Sequence, residues 1–328
     1  MNLASKFLLF SCCLALSACA STTSARRTSG SAPVAWLDGA ISSASSTAYQ
    51  RWFSQLAAER DLYSELEVTS SGEAMEKLLA DRVDFASTDT PPTSQQMKAG
   101  LLAFPVTASG VALAYNHPSC KLSLSLPQVA KILDGRITNY RQLGCSSQPI
   151  AVFYRAGRSG TTANLTAALA AASTDWKRRH GVSMQLNLPA ATPVSGGLAL
   201  RDQLMGAKGA FGYLDSAFVA FPLQSVRLLN GSSFYAPDQP QSELALDSLQ
   251  LNSQLLGAVR NPPQGYPIVG LNWLVVRRTM QRSKSNALRE SLQWIYGKRG
   301  QEDAELLGYL RIPPAIRQRA LQQLSAMP

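Results

Sequence analysis

The chain has 328 residues, of which 45% are hydrophobic and 16% charged, with a formal net charge of +10. That length and apolar content suffice for a large buried core and two lobes, and exclude a disordered chain. The positive balance suits anionic ligands or an anionic envelope surface, but the basic residues are scattered (Arg26-Arg27, Lys177-Arg178-Arg179, Arg277-Arg278, Lys298-Arg299) without interleaved aromatics, so nucleic acid is not expected as a partner.

The N-terminus departs from the globular composition. Lys6 is followed by the apolar run Phe7 to Leu16 and then by Leu16-Ser17-Ala18-Cys19, the pattern of an export signal over residues 1–18. A permanent membrane-spanning helix needs about 20 apolar residues, more than this run supplies. The tetrad ending at Cys19 is similar to the bacterial lipobox, which implies cleavage before Cys19, acylation of its thiol and an anchor on a membrane surface; plain secretion is the alternative. Residues 19–33, rich in Ser, Thr, Ala and Gly, are too poor in large apolar side chains to fold and read as a tether.

From residue 34 strand and helix patterns alternate. A strand at Val34–Leu37, a helix at Thr47–Arg60, a strand at Leu66–Thr69 and a helix carrying Met75, Leu78, Leu79 and Val83 come first. A strand at Asp84–Ala86, a helix near Ser94–Ala99 and two strand runs, Leu102–Val106 and Gly110–Tyr115, follow. Elements at Pro127–Leu133, Ile150–Tyr154, Thr161–Ala172, Gly196–Met205, Ala210–Tyr213 and Val226–Leu229 continue in the same style. A long apolar run at Tyr266–Val276 precedes helices at Ser283–Tyr296, Glu302–Leu307 and Ala315–Leu324. Such alternation predicts α/β layers and a second sheet.

Within this order the octet Arg155-Ala156-Gly157-Arg158-Ser159-Gly160-Thr161-Thr162 links a strand directly to a helix. Ser159 falls at the helix N-cap, where the free N–H groups of Gly160 and Thr161 point out of the helix toward an anion, and Arg155 and Arg158 add charge beside them. A capped helix with two solvated arginines is the alternative. Cys120 and Cys145 are the only thiols beyond the signal and Cys19. Two is a pairable number in an oxidising compartment, and two unpaired buried cysteines are the alternative. With only His117 and His180 in the chain, no zinc constellation is expected. No cofactor is expected either.

Several segments together resemble the phosphate-binding proteins of high-affinity phosphate ABC transporters, in the type II periplasmic-binding-protein superfamily. Gly39-Ala40-Ile41-Ser42-Ser43-Ala44 leading to Tyr49-Gln50-Arg51-Trp52 is similar to that family's Gly-Ala-Gly-Ala-Thr-Phe loop and Tyr-x-Lys-Trp helix. Ser70-Ser71-Gly72, then Val83-Asp84-Phe85-Ala86-Ser87-Thr88-Asp89, resemble its Ser-Ser-Gly and Asp-Phe-Gly-Ala-Ser-Asp motifs. Arg155 to Thr161 resembles Arg-x-Asp-Gly-Ser-Gly-Thr, and Gly209 to Tyr213, Tyr266 to Ile268 and Leu307 to Tyr309 match further landmarks in the family's order.

The resemblance implies a two-lobed fold, with residues 34–112 and 268–328 forming the first lobe, 113–267 the second, and the ligand in the cleft between them. It implies that the Ser43 hydroxyl, the Ala44 N–H, Ser70, Asp89, Arg155, Ser159, Gly160 and Thr161 surround inorganic phosphate. Donors of this kind replace the hydration shell that an anion loses on burial. Asp89 would accept a hydrogen bond from a protonated phosphate oxygen, a bond sulfate cannot make; a turn residue in Thr88-Asp89-Thr90-Pro91-Pro92 is the alternative. The family's Asp is Gly157 here and its next Gly is Arg158, so Arg158 is expected to make the pocket more positive. The implied role is a non-enzymatic binding protein that is a monomer and delivers phosphate to the membrane subunits of a transporter. The rival readings are a phosphate sensor not coupled to uptake, a hydrolase with Ser159 as nucleophile, and a basic envelope protein that binds anions nonspecifically.

Overall fold

The computed structural model describes residues 36–327. The export signal, Cys19 and the tether lie outside these residues. In chain order the first part forms β1 (Trp36–Ser42), α1 (Ser46–Arg60), β2 (Tyr63–Thr69), α2 (Ser71–Leu79), β3 (Phe85–Thr88), α3 (Ser94–Lys98) and β4 (Leu101–Tyr115). Then come β5 (Ser123–Leu124), α4 (Leu126–Leu133), β6 (Ala151–Arg155), α5 (Gly160–Ala172), α6 (Thr174–Arg179), β7 (Thr192–Val194), α7 (Gly197–Gly206) and β8 (Ala210–Asp215). The remainder is β9 (Gln224–Ser225), β10 (Arg227–Asn230), β11 (Ser233–Tyr235), α8 (Gln239–Leu246), β12 (Val269–Arg277), α9 (Arg282–Tyr296), α10 (Lys298–Leu306) and α11 (Pro314–Gln323).

The main sheet has the order β2-β1-β3-β12-β4-β8-β6-β7, with β9 also on β4, and a small sheet has the order β11-β10-β5. Parallel pairs β1–β2, β1–β3, β6–β8 and β6–β7 flank the antiparallel centre made by β12 and β4. β4 belongs to both halves: residues 101–110 pair with β12, and Val111–Tyr115 pair with β8. The two strand runs expected at 102–106 and 110–115 are therefore one strand. The break between the runs, Thr107-Ala108-Ser109, stays in the ladder with β12, and Pro105, inside the first run, pairs with Trp273 beside a register shift at Asn272, where a bulge accommodates a residue with no N–H to donate.

Side chains on the first half of the sheet alternate between two cores. Leu37, Ile41, Phe104 and Leu274 join one core with Trp52, Phe53 and Leu292, while Ala40, Leu101, Trp273 and Val275 join the other with Met75, Leu78 and Ile312. Both faces of the strands are covered, which is why they read as continuous apolar runs. Trp52 is fully buried with its indole N–H on the Gly300 carbonyl at 2.7 Å. In the second half Leu113, Tyr154, Phe211, Leu165 and Trp176 form one core, and Ala114, Leu200, Leu204 and Leu214 the other. Each half is thus a helix–sheet–helix sandwich, giving the expected two-lobed α/β architecture.

One segment differs from the sequence-based division. Ala245 and Leu246 of α8 and the following Leu255, in the stretch assigned to the second lobe, pack into the cores of the first. The sequence pattern of this stretch carries no information about which half-sheet it covers. Cys120 and Cys145 form a disulfide with Cα atoms 5.5 Å apart.

Candidate functional site

The carboxyl ends of parallel strands β1, β3 and β6 and the N-termini of α2 and α5 converge on one buried cluster. Such a crevice is where open α/β sheets hold ligands. Helix N-termini bring unpaired N–H groups and partial positive charge to the same point.

Asp89, just past β3, is the centre of the first wall and is buried at 8% exposure. Its Oδ2 accepts from the hydroxyls of Ser42 and, at 2.9 Å, Ser71. Its Oδ1 accepts from Asn272 Nδ2 at 2.8 Å. Burial raises its pKa above the ordinary carboxylate value, while the bonds from Ser42, Asn272 and Ser71 and the charge of Arg155 pull it down. An ionised carboxylate has about four acceptor sites, so three bonds leave room for one more donor. Asn272 is aimed at Asp89 from the position on β12 opposite the β4 bulge, and Tyr49 donates its hydroxyl to the Asn272 Oδ1 at 2.9 Å, which sets the amide's orientation.

Arg155 ends β6 and forms the second wall. It is 4% exposed, and its Nη2 donates to Ser43 Oγ at 2.9 Å. No carboxylate oxygen lies within ion-pair distance among the described residues, and Nε is buried with no hydrogen-bond partner. Burial lowers the guanidinium's pKa from its ordinary value, against the charges of Tyr213 and Asp89. A desolvated cation held only by a neutral hydroxyl is expensive, since buried charges otherwise pair. The backbone around it is well supported: Arg155 N–H donates to Tyr213 Oη at 3.2 Å, and Tyr213 shares a hydrogen bond with Thr162 Oγ1 at 2.8 Å.

The turn from Gly157 to Thr161 brings α5 against the first wall. Gly157 has φ +77°, a left-handed conformation in which the aspartate expected from the family motif would be strained. Ser159 caps α5, its hydroxyl accepting the Thr162 N–H at 3.4 Å. A Cβ on Gly160 would lie 2.7 Å from both the Asp89 Cβ and the Ser71 Oγ, so only glycine permits this approach. Thr161 is buried in the first turn. The walls are tied by Asn164 Nδ2 on the Asp89 carbonyl at 2.9 Å and by Gly72 N–H on the Arg158 carbonyl at 3.0 Å.

Most of the residues named from sequence therefore meet in one place: Ser43, Ala44, Asp89, Arg155, Ser159, Gly160 and Thr161. Ser70 sits at the rim, capping α2 through the Glu73 N–H at 3.3 Å, while the neighbouring Ser71 provides the hydroxyl on Asp89. Arg158 does not add its charge to the pocket as expected. Its guanidinium is half exposed and ion-paired with Glu76 of α2 across the cleft mouth. Ser42, Ser71, Asn272 and Tyr213 join the site without any site role assigned to them by the sequence motifs. The only signal for Asn272 is a lone amide in the apolar run 266–276.

Neither histidine bonds Ser159: His117 bonds Ser119 and Ser146, and His180 bonds Asp134. Among the described residues no group of three or more His, Cys, Asp or Glu is placed to hold a metal ion.

Residues 20–298 match the PBP superfamily domain. The chain belongs to this family. The PBP superfamily chain is 26% identical over 266 residues to the phosphate-binding protein PstS of Xylella fastidiosa, covering 75% of this chain and 73% of that one. Among solved structures it is similar to a high-affinity periplasmic phosphate-binding protein bound with phosphate, at TM-score 0.74, 16% identity and coverage of 87% of this chain and 92% of that one. It is also similar to a protein of Clostridium perfringens described as a phosphate ABC transporter substrate-binding protein with bound phosphate. That match has TM-score 0.67 and 16% identity, and covers 85% of this chain and 100% of the other.

Proposed function

We propose that this protein binds inorganic phosphate outside the cytoplasm and hands it to the membrane subunits of an ABC transporter, without catalysing a reaction. The observation that carries this reading is Arg155, a buried guanidinium without a carboxylate partner, facing hydroxyls and helix N-termini. That set stabilises a compact anion and nothing neutral. Phosphate would accept from Arg155, from the hydroxyls of Ser43 and Ser159, and from the N–H groups of Ala44, Gly160 and Thr161, with Ser70 at the rim of the cleft. Its remaining proton would go to the free acceptor site of Asp89. Sulfate has no proton to give at neutral pH and would face a buried carboxylate, so the site discriminates by a bond its competitor lacks.

Contacts from both lobes would favour the closed form, a population shift that transporter subunits could read. The lobes would be 34–112 with 268–328, and 113–267 apart from the region of Ala245 to Leu255. Export by the signal over residues 1–18, acylation at Cys19 and a monomeric state complete the proposal. The relatives named as phosphate-binding proteins support it.

Titration calorimetry of the purified protein with phosphate, sulfate and arsenate tests the reading, repeated for Asp89→Ala and Arg155→Ala. Phosphate should bind and sulfate should not; Asp89→Ala should narrow that gap and Arg155→Ala should weaken phosphate. Absence of phosphate binding overturns the assignment.

A further inference from the structure

A second concavity lies behind the anion site, on the side of the segment that enters β12. Its volume is about 720 Å³, and its wall is mostly apolar, formed by Ala167 and other small residues of α5, Met184, Val259 and Ile268, with Thr90 on the opposite side. That size and lining match a site for a small organic molecule; inorganic phosphate would leave almost all of it unfilled. The residues around it include no Asp or Glu, and one cation, Arg260. Arg260 is exposed at the edge and has neither an ion pair nor a hydrogen bond among the described residues. An apolar chamber with one free guanidinium is complementary to a molecule with an apolar body and one anionic head.

The chamber shares structure with the anion site without sharing its ligating groups. Helix α5, which begins at Gly160 beside Asp89, supplies one wall, and Thr90 directly follows Asp89 on the other. Asn164 joins the two walls through its bond to the Asp89 carbonyl. We propose that this chamber is a second binding site, for an amphipathic organic anion whose apolar body lies between α5 and Val259 and whose carboxylate or sulfonate pairs with Arg260. Its occupant binds alongside phosphate rather than in its place.

Decanoate and uncharged decanol, titrated calorimetrically below their aggregation concentrations and in saturating phosphate, test the site. Decanoate should bind at one site per chain at least tenfold more tightly than decanol. Arg260→Gln should reduce decanoate to the level of decanol, and Ala167→Trp, which puts an indole where the apolar body would lie between α5 and Val259, should remove both while phosphate still binds. A photoreactive decanoate analogue on the unmodified protein gives an arm independent of folding of the variants, and should label peptides containing residues 163–172 or 258–262. The proposal is overturned by no saturable decanoate binding, by displacement of decanoate by phosphate, by binding that neither variant alters, or by labelling elsewhere.

Discussion

Replacing Arg155 by Met separates ligand binding from folding, because the two should move in opposite directions. In the structure the guanidinium has one side-chain bond, to Ser43, and an unpartnered buried Nε. Removing the unsatisfied donor relieves about 1–3 kcal/mol, and losing the Ser43 bond costs about 1 kcal/mol. Met fills similar space with a flexible apolar chain. The balance is zero to about 2 kcal/mol in favour of the variant, or zero to roughly 4 °C in Tm at about 2 °C per kcal/mol for a chain of this size. Phosphate should lose two charge-assisted hydrogen bonds on the order of 3–6 kcal/mol together, roughly 10²–10⁴-fold in Kd. Scanning calorimetry with and without phosphate reads both effects. At 100 times Kd, phosphate should stabilise the parent by about 2.7 kcal/mol and, at that concentration, leave the variant almost unmoved. A variant several degrees less stable without ligand would show that Arg155 serves the fold, and one with unchanged phosphate affinity would remove it from the binding site.

Asp215 is buried, accepts from Ser109 and the Ala217 N–H, and is raised by burial from 3.8 to about 8. Between those values the folded protein holds a proton that the unfolded chain has released, so stability falls as pH rises through that window, by up to about 1.4 kcal/mol per pH unit. Asp215→Asn reproduces the protonated form and should flatten the fall between pH 5 and 8 in thermal melts; an unchanged slope would assign the dependence elsewhere. The double change Cys120→Ala, Cys145→Ala opens a loop of sequence separation 25 and should cost about 3 kcal/mol in urea unfolding, with a loss below about 1 kcal/mol contradicting the loop-closure account. The Arg158–Glu76 pair is half exposed on both sides, so Arg158→Ala should weaken phosphate less than about fivefold, with the difference vanishing in high salt; a change above roughly 30-fold would place Arg158 on the ligand.

The parts of this molecule that sequence reveals are those whose causes are local. The strand-to-helix turn at Arg155–Thr162 is legible because an N-cap serine, a glycine and a neighbouring arginine each state a backbone requirement within a few residues. Alternation of strand and helix patterns likewise announces α/β layers. The break at Thr107-Ala108-Ser109 misleads because small and polar residues there suggest a loop, whereas β12, more than 160 residues away in sequence, holds all three in one ladder. The choice between Ser70 and Ser71 is of the same kind. Both are good caps by composition, and the one that reaches the ligand wall is decided by where α2 lies relative to Asp89, a tertiary fact.

The same distinction explains Gly157 and Arg158. In sequence they appear as a lost carboxylate and a gained cation beside an anion site, which predicts a more positive pocket. In the fold the left-handed φ at Gly157 turns the chain so that the Arg158 carbonyl meets Gly72 and its guanidinium meets Glu76. The added charge is spent across the cleft mouth, on a contact between the two walls, and the buried positive charge stays with Arg155 alone. A departure from a family motif at the lip of a cleft therefore bears first on how the walls meet and only through that on the ligand. Salt should accordingly modulate phosphate affinity through the Arg158–Glu76 pair while leaving the buried preference for phosphate over sulfate unchanged.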